Sequence, residues 1–119
     1  MKRSMDIYNE LIILEDEMDR TSNQIKELSI QEDEVFDFTT RFKDMLDSIK
    51  EGFQGEEADK FFYEAESELN SMKKECLTRI DEEQQAQEEN KKQLDIHHKE
   101  LEDERKYLLQ EEEEKRDDF

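Results

Sequence analysis

Apolar residues recur along the first half of the chain at alternating steps of four and three. The series runs Ile7, Leu11, Leu14, Met18, then Ile25, Leu28, then Val35, Phe42, Leu46, Ile49 and Phe53, and it is broken only at Thr21, Glu32 and Thr39. A 3.5-residue repeat held for more than six heptads predicts a helix with a coiled-coil-like seam, because that spacing keeps one stripe turned toward one neighbour. Ile12, Ile13, Ile30, Phe36, Phe38 and Met45 lie beside the seam and widen it, most of all around Val35–Phe42. A narrow two-stranded seam has no use for so many aromatics. This end is therefore expected to meet more than one neighbouring helix.

The repeat stops at Lys50-Glu51-Gly52-Phe53-Gln54-Gly55-Glu56-Glu57, which contains both glycines of the protein. Glycine is favoured just past a helix C-terminus, where the chain enters the left-handed region. Glu56, Glu57 and Asp59 then supply the negative charge that suits a helix N-terminus. One helix thus ends and another starts at Gly52–Gly55, and so short a connection sets the two antiparallel. The second helix opens on its own four-three series, Ala58, Phe62, Ala65, Leu69, Met72 and Cys76, flanked by Phe61. The phase then slips by one residue to Leu77 and Ile80. From Asp81 to Gln93 only Ala86 is apolar, and a seam returns in Leu94, Leu101 and Leu108.

The expected fold is all-α, an antiparallel helix–turn–helix hairpin over residues 1–119. Helix one spans about 5–51, the turn about 52–56 and helix two about 57–112, followed by an acidic tail that frays or docks a partner from about Tyr107. The longer second helix is expected to project past the first. Ala58 and Ala65 permit close approach near the turn, where Phe36, Phe42, Phe53, Phe61 and Phe62 should form the densest core. The polar waist at Asp81–Gln93 should be weakly held. A lone hairpin buries one stripe per helix, and so small a core predicts a partner, a second copy or another helical protein, that completes a four-helix bundle. Its binding seam would comprise Leu11, Leu14, Met18, Ile25, Leu28, Val35, Phe42, Leu46, Leu69, Met72, Ile80, Leu94 and Leu101.

Composition narrows this picture without redrawing it. Only 32% of the residues are apolar and 46% are charged, a balance that fits either a disordered acidic chain or long helices burying a narrow stripe. The absence of Pro, the presence of only two Gly and the periodicity decide for helices. A net charge of −19 argues against nucleic acid, whose phosphates need Lys and Arg, and against anionic membrane surfaces. No apolar run approaches the roughly 20 residues that span a bilayer. The start Met1-Lys2-Arg3-Ser4-Met5-Asp6 is basic, but Asn9 and Glu10 interrupt the apolar stretch behind it, so it is no signal-peptide core. Synthesis in the cytosol is expected, with any export by a route other than a cleaved signal.

Catalytic chemistry finds no foothold, and the chain reads as a binding protein without cofactor or metal. His97 and His98 are adjacent, pointing about 100° apart on a helix, so they cannot share a metal as an i, i+4 pair can, and they read as surface histidines. Cys76, the single cysteine, falls on the four-three series and reads as a small core residue. Met18, Met45 and Met72 read as core filling, and Glu111–Glu114 as a solvated face. Gly-x-x-Gly between two helices lacks the strand and the Lys of a phosphate loop.

The turn is more specific. Phe53-Gln54-Gly55, Ala58 and Phe61-Phe62 spell F-x-G-x-x-A-x-x-F-F. This resembles the turn of the WXG family of small helical-hairpin proteins exported by bacterial type VII secretion systems, where W-x-G precedes small residues and an aromatic on helix two. The agreement in size, layout and turn position covers the whole chain. The chain departs in having Phe53 for Trp, an additional upstream Gly52, more charge and a longer second helix. Those departures look like the WXG-like accessory partners of LXG toxins, which bind the toxin's helical N-terminal domain for export. The turn motif is Gly52, Phe53, Gly55, Ala58 and Phe62, of which the resemblance implies all but Gly52. The resemblance also implies an export motif of the Y-x-x-x-D/E type at Tyr107 and Glu111. A helical toxin domain or another small WXG-like protein would be the partner. The alternative is a self-associating scaffold coiled coil with no secretion role, in which Phe53–Phe62 is ordinary packing.

Overall fold

The four-three repeat forms two continuous helices joined by a five-residue connection. In the computed structural model, which describes residues 3–117, α1 is Ser4–Lys50 and α2 is Glu56–Asp117. The fold is an all-α antiparallel helical hairpin. The first two residues of the basic start and the last two of the acidic tail lie outside the described residues. The contacts group into two compact units, one of residues 1–25 and 86–119, the other of residues 26–85. The boundary crosses α2 within the polar waist. Both helices run through both units, so each unit is a helix pair.

Helix α1 starts where the Asp6 carboxylate accepts from the Arg3 amide at 3.0 Å, while the Arg3 carbonyl takes the Ile7 amide at 3.2 Å. This is one half of a capping box. From there α1 keeps its alternation unbroken. Ile7, Leu11, Leu14 and Leu46 are buried, and the positions that interrupt the apolar series, Thr21 and Thr39, are buried with them. Helix α2 behaves differently. Between Ala65 and Leu77 its inward positions fall at three successive steps of four, through Leu69 and Lys73. Those steps swing the seam around the helix, as an insertion in a heptad does.

In the first unit, Ile7, Leu11, Leu14 and Leu101 form a buried cluster against which Met18, Leu94 and Leu108 pack. Ile7 is fully inaccessible. In the second unit the buried apolar residues are Leu46, Phe62 and Leu69. The dense aromatic core expected near the turn is absent. Phe36, Phe53 and Phe61 are exposed, Phe42 is half-buried, and of the five only Phe62 is buried. Phe36 and Phe61 sit off the inward stripe, where a single opposing helix cannot reach around to them, and Phe53 lies in the connection, beyond the end of α1.

The waist is helical throughout and two of its polar side chains reach across to α1. In the first unit the Asn90 amide donates to the Thr21 hydroxyl at 3.4 Å. In the second, the Gln84 amide donates to the Glu32 carboxylate at 3.3 Å. Such crossed polar pairs fix axial register in a seam, since any slip leaves a half-buried polar group without its partner. The expected frayed tail is also helical. Ser4 donates from its amide and its hydroxyl to Glu112, at 3.2 and 2.6 Å. Lys115 and Arg116 complement the dipole in the last turn of α2. Because Ser4 lies beside Glu112, α2 overhangs α1 by little more than one turn.

Candidate helix-docking surface

The connection is built by backbone hydrogen bonds and one glycine. The Gly52 and Phe53 amides donate to the Ile49 and Lys50 carbonyls at 3.0 and 3.2 Å, tightening the end of α1. Gly52 does not adopt the left-handed conformation expected of it; Gly55 does, with φ of 122°. Its carbonyl accepts the Asp59 amide at 3.0 Å, which makes it the residue that opens α2. Phe53 and Phe61 face solvent, each about 60% exposed, while Phe62 meets Phe61 edge-on at 5.4 Å and is itself buried. Ala58 is half-buried. The turn-motif residues thus divide into a presented set (Gly52, Phe53, Gly55) and an inward set (Ala58, Phe62).

The seam residues named from sequence also divide. Leu11, Leu14, Leu46, Leu69 and Leu101 are buried, and Met18, Ile25, Leu28, Val35, Phe42, Ile80 and Leu94 are half-buried. Met72 departs from them at 57% exposed, and Cys76 is exposed as well. The slip is the cause: by the time α2 reaches Met72, its inward line has moved to Lys73 and Leu77. The Lys73 ammonium rests over the Phe36 ring at 4.9 Å, a cation–π contact that covers part of an otherwise bare aromatic.

Displacement of Met72 and Cys76 leaves an apolar groove on the second unit. Its volume is about 450 Å³, and it is lined by Val35, Phe38 and Thr39 of α1 and by Leu69, Met72, Cys76 and Ile80 of α2. Gln31, Glu34, Lys73 and Arg79 supply its polar lining. Phe38 stacks on Phe42 with centroids 6.0 Å apart and remains 58% exposed.

Two seam positions of the first unit escaped the sequence reading. His98 is not a surface histidine: its side chain is largely covered, with Nε2 3.1 Å from Glu15 of α1 and Nδ1 3.1 Å from Glu102. Arg105 lies 4.9 Å over the Tyr8 ring. Both continue the four-three alternation through Leu94, His98, Leu101, Arg105 and Leu108. That spacing was the available signal, masked because neither residue is apolar. His97 is exposed.

Tyr107 is exposed and one helical turn from the half-buried Glu111. The hydrogen bond to the Glu111 carboxylate, then the charge of that carboxylate, hold the Tyr107 phenol above its ordinary range. Among the described residues no group of three or more His, Cys, Asp or Glu could hold a metal ion, and no helix is long and apolar enough to cross a membrane. No protein-family model, curated protein or solved structure matches the chain.

Proposed function

We propose that this chain is a non-enzymatic helical binding protein, the targeting or chaperone partner of an LXG-type toxin for export by a type VII secretion system. The observation that carries the reading is the combination at one hairpin end of a presented turn, with Phe53 and Gly55 in solvent, and an apolar groove that reaches Leu69 and Val35 about four turns away. Apolar surface left open beside a polar helix pair is the mark of a protein that binds another. The resemblance at F-x-G-x-x-A-x-x-F-F supplies the class of partner. In this reading the groove and seam hold the helical N-terminal domain of the toxin, Phe53 and Gly55 form the presented turn, and Tyr107 with Glu111 marks the export signal. On that reading the protein is made in the cytosol and any export of it runs through the type VII system.

Co-expression with an LXG-type N-terminal domain tests this. A complex that co-purifies and stays mixed by size exclusion with light scattering is the expected result. A monodisperse homodimer that leaves that domain unbound sinks the reading and favours the self-associating scaffold. Tyr107→Ala should leave the complex intact and abolish its appearance outside the cell.

A further inference from the structure

The four-three series Ala58, Phe62, Ala65, Leu69, Met72, Cys76 is a regular heptad stripe, yet α1 covers it only as far as Leu69. Beyond that point the hairpin's own seam turns to Lys73 and Leu77, and the stripe runs on into the groove. Across the groove stand Val35 and Phe38 on α1, and Phe42, stacked on Phe38, continues their three-four spacing beyond it. Two apolar rows, each at helical spacing, flank one channel. What matches both rows at once is a third helix carrying a heptad stripe of its own.

Charge decides which helix. Arg79 is engaged by Glu75 on its own helix at 3.6 Å, and the Lys73 ammonium is held over Phe36. Lys73 keeps its charge there and is balanced by Glu34, so the lining itself is close to neutral and the field a partner meets is that of the whole chain, with its net charge of −19. A second copy of the chain would bring a further −19 charge against the first. Complementarity therefore selects a cationic helix from a different chain.

We propose that the groove lined by Val35, Phe38, Leu69, Met72, Cys76 and Ile80 seats one helix of a partner protein, whose apolar heptad stripe is flanked by Lys or Arg. This rests on the helical-partner reading above and names its surface and its chemistry. Cys76 is the chain's single cysteine and an exposed wall of the groove. Its thiol is a built-in footprint that needs no mutation.

The probe is a synthetic helical peptide of about 28 residues, four heptads being enough for a stable seam. It carries Leu at the stripe and Lys at the flanking positions; a twin carries Glu there instead. Alkylation of Cys76 in the full chain is followed by mass spectrometry, and binding by fluorescence anisotropy of labelled peptide. At saturation the Lys peptide should slow alkylation about tenfold or more, and the Glu peptide should bind at least about tenfold more weakly. Met72→Glu, at an exposed position, should abolish binding while its circular-dichroism melt stays close to that of the parent. Ile13→Glu, on the first unit, should bind as the parent does. A bound Lys peptide that leaves Cys76 fully reactive overturns the proposal, as do equal affinities for the two peptides. A dimer seen by sedimentation, with Cys76 protected before any peptide is added, overturns it in favour of a second copy.

The two readings fail separately. An LXG-type domain that co-purifies yet leaves Cys76 as reactive as in the free chain defeats the groove and spares the targeting role. Peptide protection without any toxin complex does the reverse.

Discussion

Two single residues hold positions that no neighbour can take over. Gly55 has a φ of 122°, and a Cβ there would meet nothing within 4 Å, so the obstacle to a side chain is the backbone alone. Gly55→Ala should cost about 1–3 kcal/mol, the usual strain of a residue forced into that region. At Gly52 an added Cβ would find only the Ile49 carbonyl at an ordinary 3.6 Å, and Gly52→Ala should be near neutral. Urea melts of the two variants give the comparison, and equal losses would place the essential glycine wrongly. At the other end of the chain, the Ser4 hydroxyl and amide hold the Glu112 carboxylate below its ordinary range. The folded chain then binds fewer protons at Glu112 than the unfolded chain. The stabilisation is full above the ordinary carboxylate range and is lost as pH falls through the lowered folded value. Ser4→Ala should therefore melt below the parent at pH 7, with the gap closing as acid protonates Glu112 in the folded chain. A gap that persists in acid would assign the effect to packing instead.

At the scale of the helix, the alternation of apolar residues was enough to read two helices, their direction and their connection. It was not enough to read the facing of α2. The notation of apolar against polar treats Met72 and Cys76 as seam because they continue a regular series, and dismisses Lys73, His98 and Arg105 because they are charged or titratable. Long side chains of that kind lay their stems along an apolar surface and keep the head at its edge. Lys73 over Phe36 and Arg105 over Tyr8 do this. The aromatic core was misplaced for a related reason: five phenylalanines close in sequence are not five on one face. Deletion of Lys74 supplies a direct test. It removes the one-residue slip, restores the alternation through Leu69, Met72 and the present Leu77, and turns Met72 inward in place of Lys73. The shortened chain should be more stable by about 1 kcal/mol, from the apolar area newly covered, and should lose the groove. An unchanged or lower melting temperature would mean that the slip is needed for packing elsewhere in the second unit.

Taken whole, the chain joins a thin apolar seam to a charge of −19. Its exposed i, i+4 pairs, Asp16–Arg20 and Asp37–Arg41 at 3.1 Å and Glu75–Arg79 at 3.6 Å, each contribute only a few tenths of a kcal/mol. Packing along the seam has to supply most of the rest. The polar pairs Thr21–Asn90 and Glu32–Gln84 add definition of register more than stability. These features suit a molecule that is specific in how its own helices meet and open in what it offers to others.

The placement of the buried cluster has a consequence in time. Ile7 and Leu11 pack with Leu101, so the best-covered residues are among those most distant along the chain. Loop-closure entropy favours early contacts around the connection, which surround the thinner core, and sets its largest cost against the firmest contacts, which close the longest loop. The order of formation this predicts runs opposite to the order of strength. Ile7→Ala should remove about 2–5 kcal/mol and express nearly all of it as faster unfolding, with the refolding rate almost unchanged. Stopped-flow measurements across a denaturant series read both limbs. A refolding rate that fell with the stability would show that the two chain ends find each other early.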